Sequence, residues 1–108
     1  MMNILEELDT LYREYEKLNK HLYEKTHEYC EILNEKYKNQ IGEKIETVNG
    51  GQCSYTFFGG FKVEYISHYS ITPILYYPTA KNTQSKRQII TVPSYTKRVI
   101  NELESRKL

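Results

Sequence analysis

The chain has 108 residues and a formal net charge of +1. Its length fits a single domain, 1–108, because two separate cores in so short a chain would each be too small. No run approaches the roughly 18 consecutive apolar residues of a membrane span, and the first residues lack the basic and apolar regions of a signal peptide. Cys30 and Cys53 have no paired spacing, which gives no support for a disulfide framework. We expect a cytoplasmic protein that does not contact a membrane.

Amino-acid usage points to an AT-rich genome. The chain holds eleven Lys, eleven Tyr, ten Ile and seven Asn against one Ala and four Arg, and the favoured residues are those with AT-rich codons. This usage indicates a low-GC bacterium, its phages or another mobile element. The tyrosines have two interpretations, because codon bias explains them as well as a binding surface does, and tyrosine is enriched at protein interfaces.

Charge is distributed unevenly along the chain. Residues 1–46 hold eleven acids and seven Lys or Arg, for a net charge of −4, and residues 47–108 hold three acids and eight Lys or Arg, for a net charge of +5. Such a dipolar molecule is steered with one face toward a charged partner. The alternative is that the two halves compensate each other within the fold.

The first part of the chain predicts one long helix, 4–41. Asn3 can cap the helix with Glu6 three residues later, which is the spacing of a capping box. No glycine or proline interrupts the segment before Gly42, which can take the left-handed position that follows a helix. The alternative is a break between residues 19 and 27 that folds the segment back as a helical hairpin.

The pattern in this segment is a heptad repeat. We call the following ten positions, alternating in steps of four and three, the heptad seam: Ile4, Leu8, Leu11, Tyr15, Leu18, Leu22, Lys25, Tyr29, Ile32 and Lys36. A second apolar stripe contains Leu5, Tyr12 and Leu33. Four glutamates spaced by multiples of seven residues on one flank of the seam form what we call the glutamate row: Glu7, Glu14, Glu28 and Glu35.

A helix of this length predicts an interface. At about 1.5 Å per residue, roughly 38 residues extend about 57 Å, beyond the roughly 30–35 Å width of a domain this size. Overhanging apolar surface requires a second copy of the chain, another protein or a fold-back. We predict a protein partner, and a homodimer through a coiled coil of irregular or antiparallel packing. The predicted interface residues are Leu8, Leu11, Tyr15, Leu18, Leu22 and Tyr29.

The middle of the chain, 44–92, predicts a small antiparallel sheet of four to five strands. The first strand is Lys44–Val48. Cys53–Phe58 and Phe61–Tyr69 flank Gly59-Gly60, whose glycines suit a two-residue hairpin turn.

The rest of the predicted sheet contains prolines. Pro73 and Pro78 bracket a short apolar run, which predicts a short or edge strand because proline cannot donate to a ladder. A polar loop then extends to Arg87, and Gln88–Val92 is the predicted last strand. Ser94 can cap a closing helix, 94–107. The order of helix, strands and helix predicts an α+β fold.

The sequence contains no pattern of catalytic or cofactor-binding residues. Asp9 is the only aspartate and falls in the first helix, which argues against magnesium-dependent phosphoryl chemistry. A zinc site would need His27, Cys30, Cys53 and His68, whose spacing matches no zinc finger. No glycine-rich phosphate loop is present. We predict a protein without catalytic residues, cofactor or metal, and an enzyme of an unrecognised type is the remaining possibility.

Basic residues in the second half suggest a different partner. Five cations lie near tyrosines in sequence and are candidates for contact with a polyanion: Lys81, Lys86, Arg87, Lys97 and Arg98. Our leading hypothesis is a non-enzymatic macromolecule-binding protein of a phage or mobile element that inhibits or bridges a host protein complex. The alternative is a dimeric nucleic-acid-binding protein that uses the basic loop 81–87 and the closing helix.

Overall fold

The structure is a computed structural model, and it describes residues 4–46 and 55–106. Its elements, in chain order, are α1 (Ile4–Lys36), a 3-10 turn (Lys38–Gln40), β1 (Lys44–Ile45), β2 (Thr56–Tyr65), β3 (Tyr69–Pro78), β4 (Gln84–Gln88) and α2 (Ser94–Ser105). The predicted α+β arrangement is confirmed: a long N-terminal helix, an antiparallel sheet of four strands and a short C-terminal helix. The strands follow the order β1-β2-β3-β4, and each pairs antiparallel with its neighbour.

The first helix is continuous but shorter than predicted. It extends without a break through residues 19–27, so the fold-back is excluded. The prediction that it reaches residue 41 is wrong, because α1 ends at Lys36 and the chain tightens into the 3-10 turn. Gly42 has the left-handed φ of +95°. Its amide donates to the carbonyl of Phe58 at 2.7 Å, so this residue starts the approach to the sheet.

The predicted hairpin turn at Gly59-Gly60 is wrong, because both glycines lie inside β2. The strand bulges there, with a register shift between Phe58 and Phe61, and Gly60 takes the φ of +99° that the bulge requires. A Cβ atom on Gly59 would come within 2.5 Å of the Tyr76 ring. The glycines therefore serve a bulge and a close packing contact, and the turn between β2 and β3 lies at residues 66–68.

The predicted edge strand around Pro73 is also wrong, since β3 pairs with β2 on one side and β4 on the other. Pro73 pairs with Phe61, the residue at which the register resumes after the bulge. The register shift lies directly before this pair, and a proline is tolerated within a sheet beside such an irregularity. On the opposite side the Thr91 hydroxyl donates to the Pro73 carbonyl at 2.8 Å.

The last strand is displaced from its predicted position. The structure places β4 at Gln84–Gln88, within the predicted loop, and residues 89–93 are not a strand. Edge strands often carry polar and charged side chains. A polar segment can therefore form the strand at this edge of the sheet. Ile89 still donates its amide to the Leu75 carbonyl at 2.8 Å. The first strand is limited to Lys44–Ile45, and the remaining predicted strand residues between 47 and 54 lie outside the described residues.

The closing helix begins as predicted but without the predicted cap. Its N-cap residue is Pro93, with no side-chain hydrogen bond, and Ser94 is already the first helical residue. The helix ends at Ser105, and residue 107 is not among the described residues. Proline has no amide proton to donate. This costs no hydrogen bond at the start of a helix, because the first amides of a helix have no acceptor within it.

The core lies between one face of the sheet and the two helices. Both helices contribute buried residues to it, Leu33 of α1 and Leu103 of α2, and Phe58 and Leu75 do so from the two central strands. A hydrogen bond from the Tyr37 hydroxyl to the Glu104 carboxylate ties the end of α1 to α2. The two helices are therefore fixed relative to each other at the C-terminal end of α1.

Replacing a core residue should destabilise the domain strongly. Leu75 is fully buried, whereas Ile90 is 92% exposed. We expect Leu75→Ala to lower the free energy of unfolding by about 2–5 kcal/mol, since it leaves a cavity. Ile90→Ala, the matched control, should change it by less than about 0.5 kcal/mol. Urea unfolding followed by circular dichroism measures both, and equal effects would contradict this placement of the core.

Candidate functional site

Only the C-terminal turns of α1 are buried against the sheet. Cys30 and Leu33 are each 6% exposed, and α1 packs on β2 and β3. A helix of 33 residues is about 50 Å long, while the described molecule measures 69 × 29 × 19 Å. The part of α1 that precedes Tyr15 therefore projects beyond the sheet.

Asn34 fastens this helix to the bulge in β2. Its side-chain oxygen accepts the Phe61 amide proton at 2.7 Å, and its side-chain nitrogen donates to the Phe61 carbonyl at 3.0 Å. The side-chain amide thus acts as a backbone-like partner for β2 at a residue that β1, paired only with Thr56 and Phe57, does not reach. A Cβ on Gly60 would lie 3.0 Å from the Asn34 oxygen, so the glycine makes room for this contact.

Tyrosines extend the contact toward the N-terminus of α1. The Tyr23 ring meets Tyr69 edge-on, with 5.3 Å between centroids, and Tyr69 meets Tyr65 in the same way at 4.9 Å. A hydrogen bond with Tyr15 raises the pKa of the Tyr65 phenol above its ordinary value. The turn between β2 and β3 thus supports α1 as far as Tyr15, and the preceding residues have no such support from the sheet among the contacts described.

The face of α1 that packs on the sheet was only partly predicted. We call it the sheet-facing stripe, and its members are Asn19, Tyr23, Thr26, Cys30, Leu33 and, just past the helix, Tyr37. Two of its members, Asn19 and Thr26, are polar, and they interrupt the apolar pattern by which the stripe could have been predicted from the sequence. Thr26 satisfies its hydroxyl by donating to the Leu22 carbonyl of its own helix at 2.6 Å. The predicted second stripe, with Leu33, was the available signal for this face.

The heptad seam faces away from the sheet. Each of its positions from 18 onward precedes a member of the sheet-facing stripe by one residue, and one residue turns an α-helix by about 100°. The six predicted interface residues are between 41% and 59% exposed: Leu8, Leu11, Tyr15, Leu18, Leu22 and Tyr29. Ile32 is 54% exposed. The structure therefore aligns these residues along one helix face and leaves that face exposed, with a contact to the sheet only at Tyr15, which bonds Tyr65, among the contacts described.

The two lysines in the seam are held by ion pairs. The Lys25 ammonium lies 3.4 Å from the Glu28 carboxylate on the same helix. The Lys36 ammonium lies 3.1 Å from the Glu104 carboxylate of α2, and this contact raises the pKa of Lys36 above its ordinary value. The seam consequently ends where α2 begins to flank α1.

The glutamate row borders the seam on the side opposite to the sheet-facing stripe. All four of its carboxylates are exposed, and Glu35 also forms an ion pair with Lys38 at 2.7 Å. Three surface depressions lie on α1, and each is lined by residues of this helix alone. Such shallow grooves suit contact with another surface better than they suit enclosure of a small molecule.

The five predicted polyanion contacts are all exposed, but they do not form one row. Lys81 lies in the turn after β3, and Lys86 and Arg87 are consecutive in β4, so their side chains project from opposite faces of the sheet. The Arg87 guanidinium lies over the Tyr77 ring, 5.1 Å from its centroid. The remaining two cations, Lys97 and Arg98, lie on α2.

The described members of the zinc set considered above are not brought together as metal ligands. Cys30 is buried in the core, and burial, with a smaller contribution from Glu31, raises the pKa of its thiol. Cys53 lies outside the described residues. Among residues 4–46 and 55–106, no three His, Cys, Asp or Glu side chains are grouped as ligands for a metal ion.

Comparison of the chain with family models, with curated proteins and with solved structures gives no match. Within the described parts of the chain, no helix combines the length and the apolar character that crossing a bilayer would require.

If the heptad seam is exposed and the sheet-facing stripe is buried, a glutamate introduced into the stripe should destabilise the fold more than glutamates introduced into the seam. We expect Leu18→Glu combined with Leu22→Glu to change the free energy of unfolding by less than about 1 kcal/mol, because both sites are exposed. Leu33→Glu should cost at least about 3 kcal/mol, because it buries an unpaired carboxylate. Urea unfolding measures both variants. Comparable losses in the two would contradict the assignment of the faces.

Proposed function

We propose that this chain is a non-enzymatic protein-binding protein whose recognition surface is the heptad seam of α1, and that it acts by occluding or bridging a partner protein. The observation that carries this proposal is the continuous exposure of the seam from Ile4 to Ile32. The heptad spacing favours a helical occupant, because side chains repeating every 3.5 residues match the seam of a second helix.

The size of the seam supports a binding role. From residue 4 to residue 32 it extends about 42 Å along a helix about 10 Å wide, an area of order 400 Å². The largest apolar patch on a soluble monomer is about 300–600 Å² and is often functional. A patch of this size on a projecting rod is accessible to a partner from the N-terminal end as well as from the side.

The anchoring of α1 supports the same proposal. Because Asn34, Leu33 and Tyr37 fix the C-terminal turns to the sheet, the seam is presented by a helix whose position is set before binding. Preorganisation reduces the conformational entropy that a binding segment loses on association. A partner thus meets an ordered surface.

The source and the biological effect remain proposals that rest on composition. The AT-rich residue usage supports an origin in a phage or mobile element of a low-GC bacterium, and a small binding protein of that origin suits inhibition of a host protein complex in the cytoplasm. The seam supplies the physical means, since a helix docked along it would be withheld from its usual contacts.

A second candidate function is binding of nucleic acid. The exposure of all five cations and the placement of Arg87 over Tyr77 favour it, since cations beside aromatic rings suit phosphates and exposed bases. The division of Lys86 and Arg87 between two faces of the sheet weakens it, because one phosphate backbone does not readily contact both.

Selection of binding peptides tests the proposed function without knowledge of the natural partner. Peptides of about 30 residues, enough to cover the seam, are displayed and selected on the immobilised chain. We expect the selected peptides to be amphipathic helices whose binding is lost on Leu18→Glu with Leu22→Glu and is retained on Lys17→Glu with Lys20→Glu.

The control pair lies on the same stretch of α1 but outside the seam. Two results would contradict the proposal. One is a set of peptides that bind equally well to both variants. The other is the absence of helical binders together with DNA binding that falls steeply with salt, which would favour the second candidate.

A further inference from the structure

Resting on the proposed function, we infer that the occupant of the heptad seam is a helix of a different protein, with an apolar seam of its own and lysine or arginine along the flank that meets the glutamate row. The inference follows from the residues that border the seam on its two sides. In paired helices these bordering positions determine the choice of partner.

The two borders of the seam differ in charge. One border is the glutamate row, with His21 at its central position. The other border contains no charged residue, and its members are Leu5, Tyr12, Asn19, Thr26 and Leu33. Neither border contains lysine or arginine, so a second copy brings no cation at a bordering position.

Pairing of two copies gives the glutamate row no cation from the borders of the second copy in either orientation, and Glu28 and Glu35 keep only the lysines of their own chain, Lys25 and Lys38. In a parallel pair each border faces the unlike border of the other helix, so Glu7 and Glu14 would face the uncharged Tyr12 and Asn19 of the second copy. In an antiparallel pair like borders face each other, so glutamates would face glutamates. Opposed like charges are unfavourable at an interface. A partner with basic residues along its flank turns the same row into ion pairs.

The sheet closes part of the uncharged border. Leu33 is buried, and Asn19 and Thr26 are half-buried, against the sheet. The border that stays open along the whole seam is therefore the glutamate row, with Glu28 and Glu35 61% and 74% exposed. A docked helix approaches from that side.

The lysine within the seam is compatible with such an occupant. Lys25 can lay its aliphatic stem along the apolar surface while its ammonium stays with Glu28, at 3.4 Å. Lys36 is held by Glu104 at the end of the seam. The occupant that covers the seam from residue 4 to residue 32 is thus a helix of about eight turns.

Two synthetic peptides of about 28 residues test the inference directly. Both have leucine at every seam position, and they differ only in having lysine or glutamate at all bordering positions. Binding of each labelled peptide to the full chain is measured by fluorescence anisotropy at low and high salt. We expect the lysine peptide to bind at least about tenfold more tightly at low salt, with a preference that shrinks at high salt because ion pairs are screened.

Reversal of the glutamate row should reverse this preference. The variant converts all four members to lysine: Glu7→Lys, Glu14→Lys, Glu28→Lys and Glu35→Lys. The matched control converts four exposed acids on the opposite face of α1: Asp9→Lys, Glu16→Lys, Glu24→Lys and Glu31→Lys. We expect the first variant to prefer the glutamate peptide and the control to keep most of the preference for lysine, since its charges lie across the helix from the seam.

The outcomes separate the inference from the proposed function. Equal binding of both peptides, lost on Leu18→Glu with Leu22→Glu, would overturn the charged partner and keep the seam as a binding surface. Binding of neither peptide to a chain that light scattering shows to be a monomer would overturn both. A mass twice 12.9 kDa that returns to the single-chain mass on Leu18→Glu with Leu22→Glu would identify a second copy as the occupant and would overturn the inference.

Discussion

The attachment of α1 to the sheet at its C-terminal end is the constraint on which the rest of the structure depends. Asn34 binds β2 directly after the Gly59-Gly60 bulge, by hydrogen bonds to both backbone groups of Phe61. Leu33 enters the core beside this contact. β1 pairs with β2 only at Thr56 and Phe57, so the backbone groups of Phe61 are open to Asn34, and Gly60 gives the Asn34 side chain the room to reach them.

This attachment decides which face of the helix remains free. The sheet-facing stripe and the heptad seam have the same spacing and differ by one residue, which places them about 100° apart around the helix. Burial of Cys30 and Leu33 thus exposes Tyr29 and Ile32 by geometry alone. An amphipathic helix in a small domain has one apolar face of this kind, whereas α1 has two, and only one of them is covered by the sheet.

Electrostatics then limits what can cover the second face. Burial of apolar seam residues favours association with any complementary helix. The apolar residues alone therefore do not distinguish one helical partner from another. In the interaction that we propose, selectivity comes from the flanks, where the glutamate row is exposed on one side and the sheet closes part of the other. The same arrangement would favour a basic helix over a second copy.

The sequence predicted the parts of the fold that depend on periodicity and missed those that depend on strand geometry. The α1 helix and its apolar seam could be predicted from the sequence because a repeat of 3.5 residues persists over many turns. Gly59-Gly60 has the composition of a hairpin turn, and only the position of Asn34 and the Tyr76 ring, both distant in sequence, makes it a bulge. Pro73 is accommodated in an interior strand because it pairs with Phe61 beside the register shift, and this pairing also joins residues that are distant in sequence. The sheet-facing stripe was missed because half-buried Asn19 and Thr26 weaken its apolar pattern.

Small-angle X-ray scattering of the purified chain can show whether α1 is a continuous rod attached to the sheet at one end. We expect a particle with the mass of one chain, a radius of gyration close to the 18.6 Å of the Cα atoms and a longest dimension near 69 Å. A compact globule of about 100 residues has a radius of gyration of about 13 Å. A value near that figure for the single chain would show that α1 folds back on itself and is not a continuous rod.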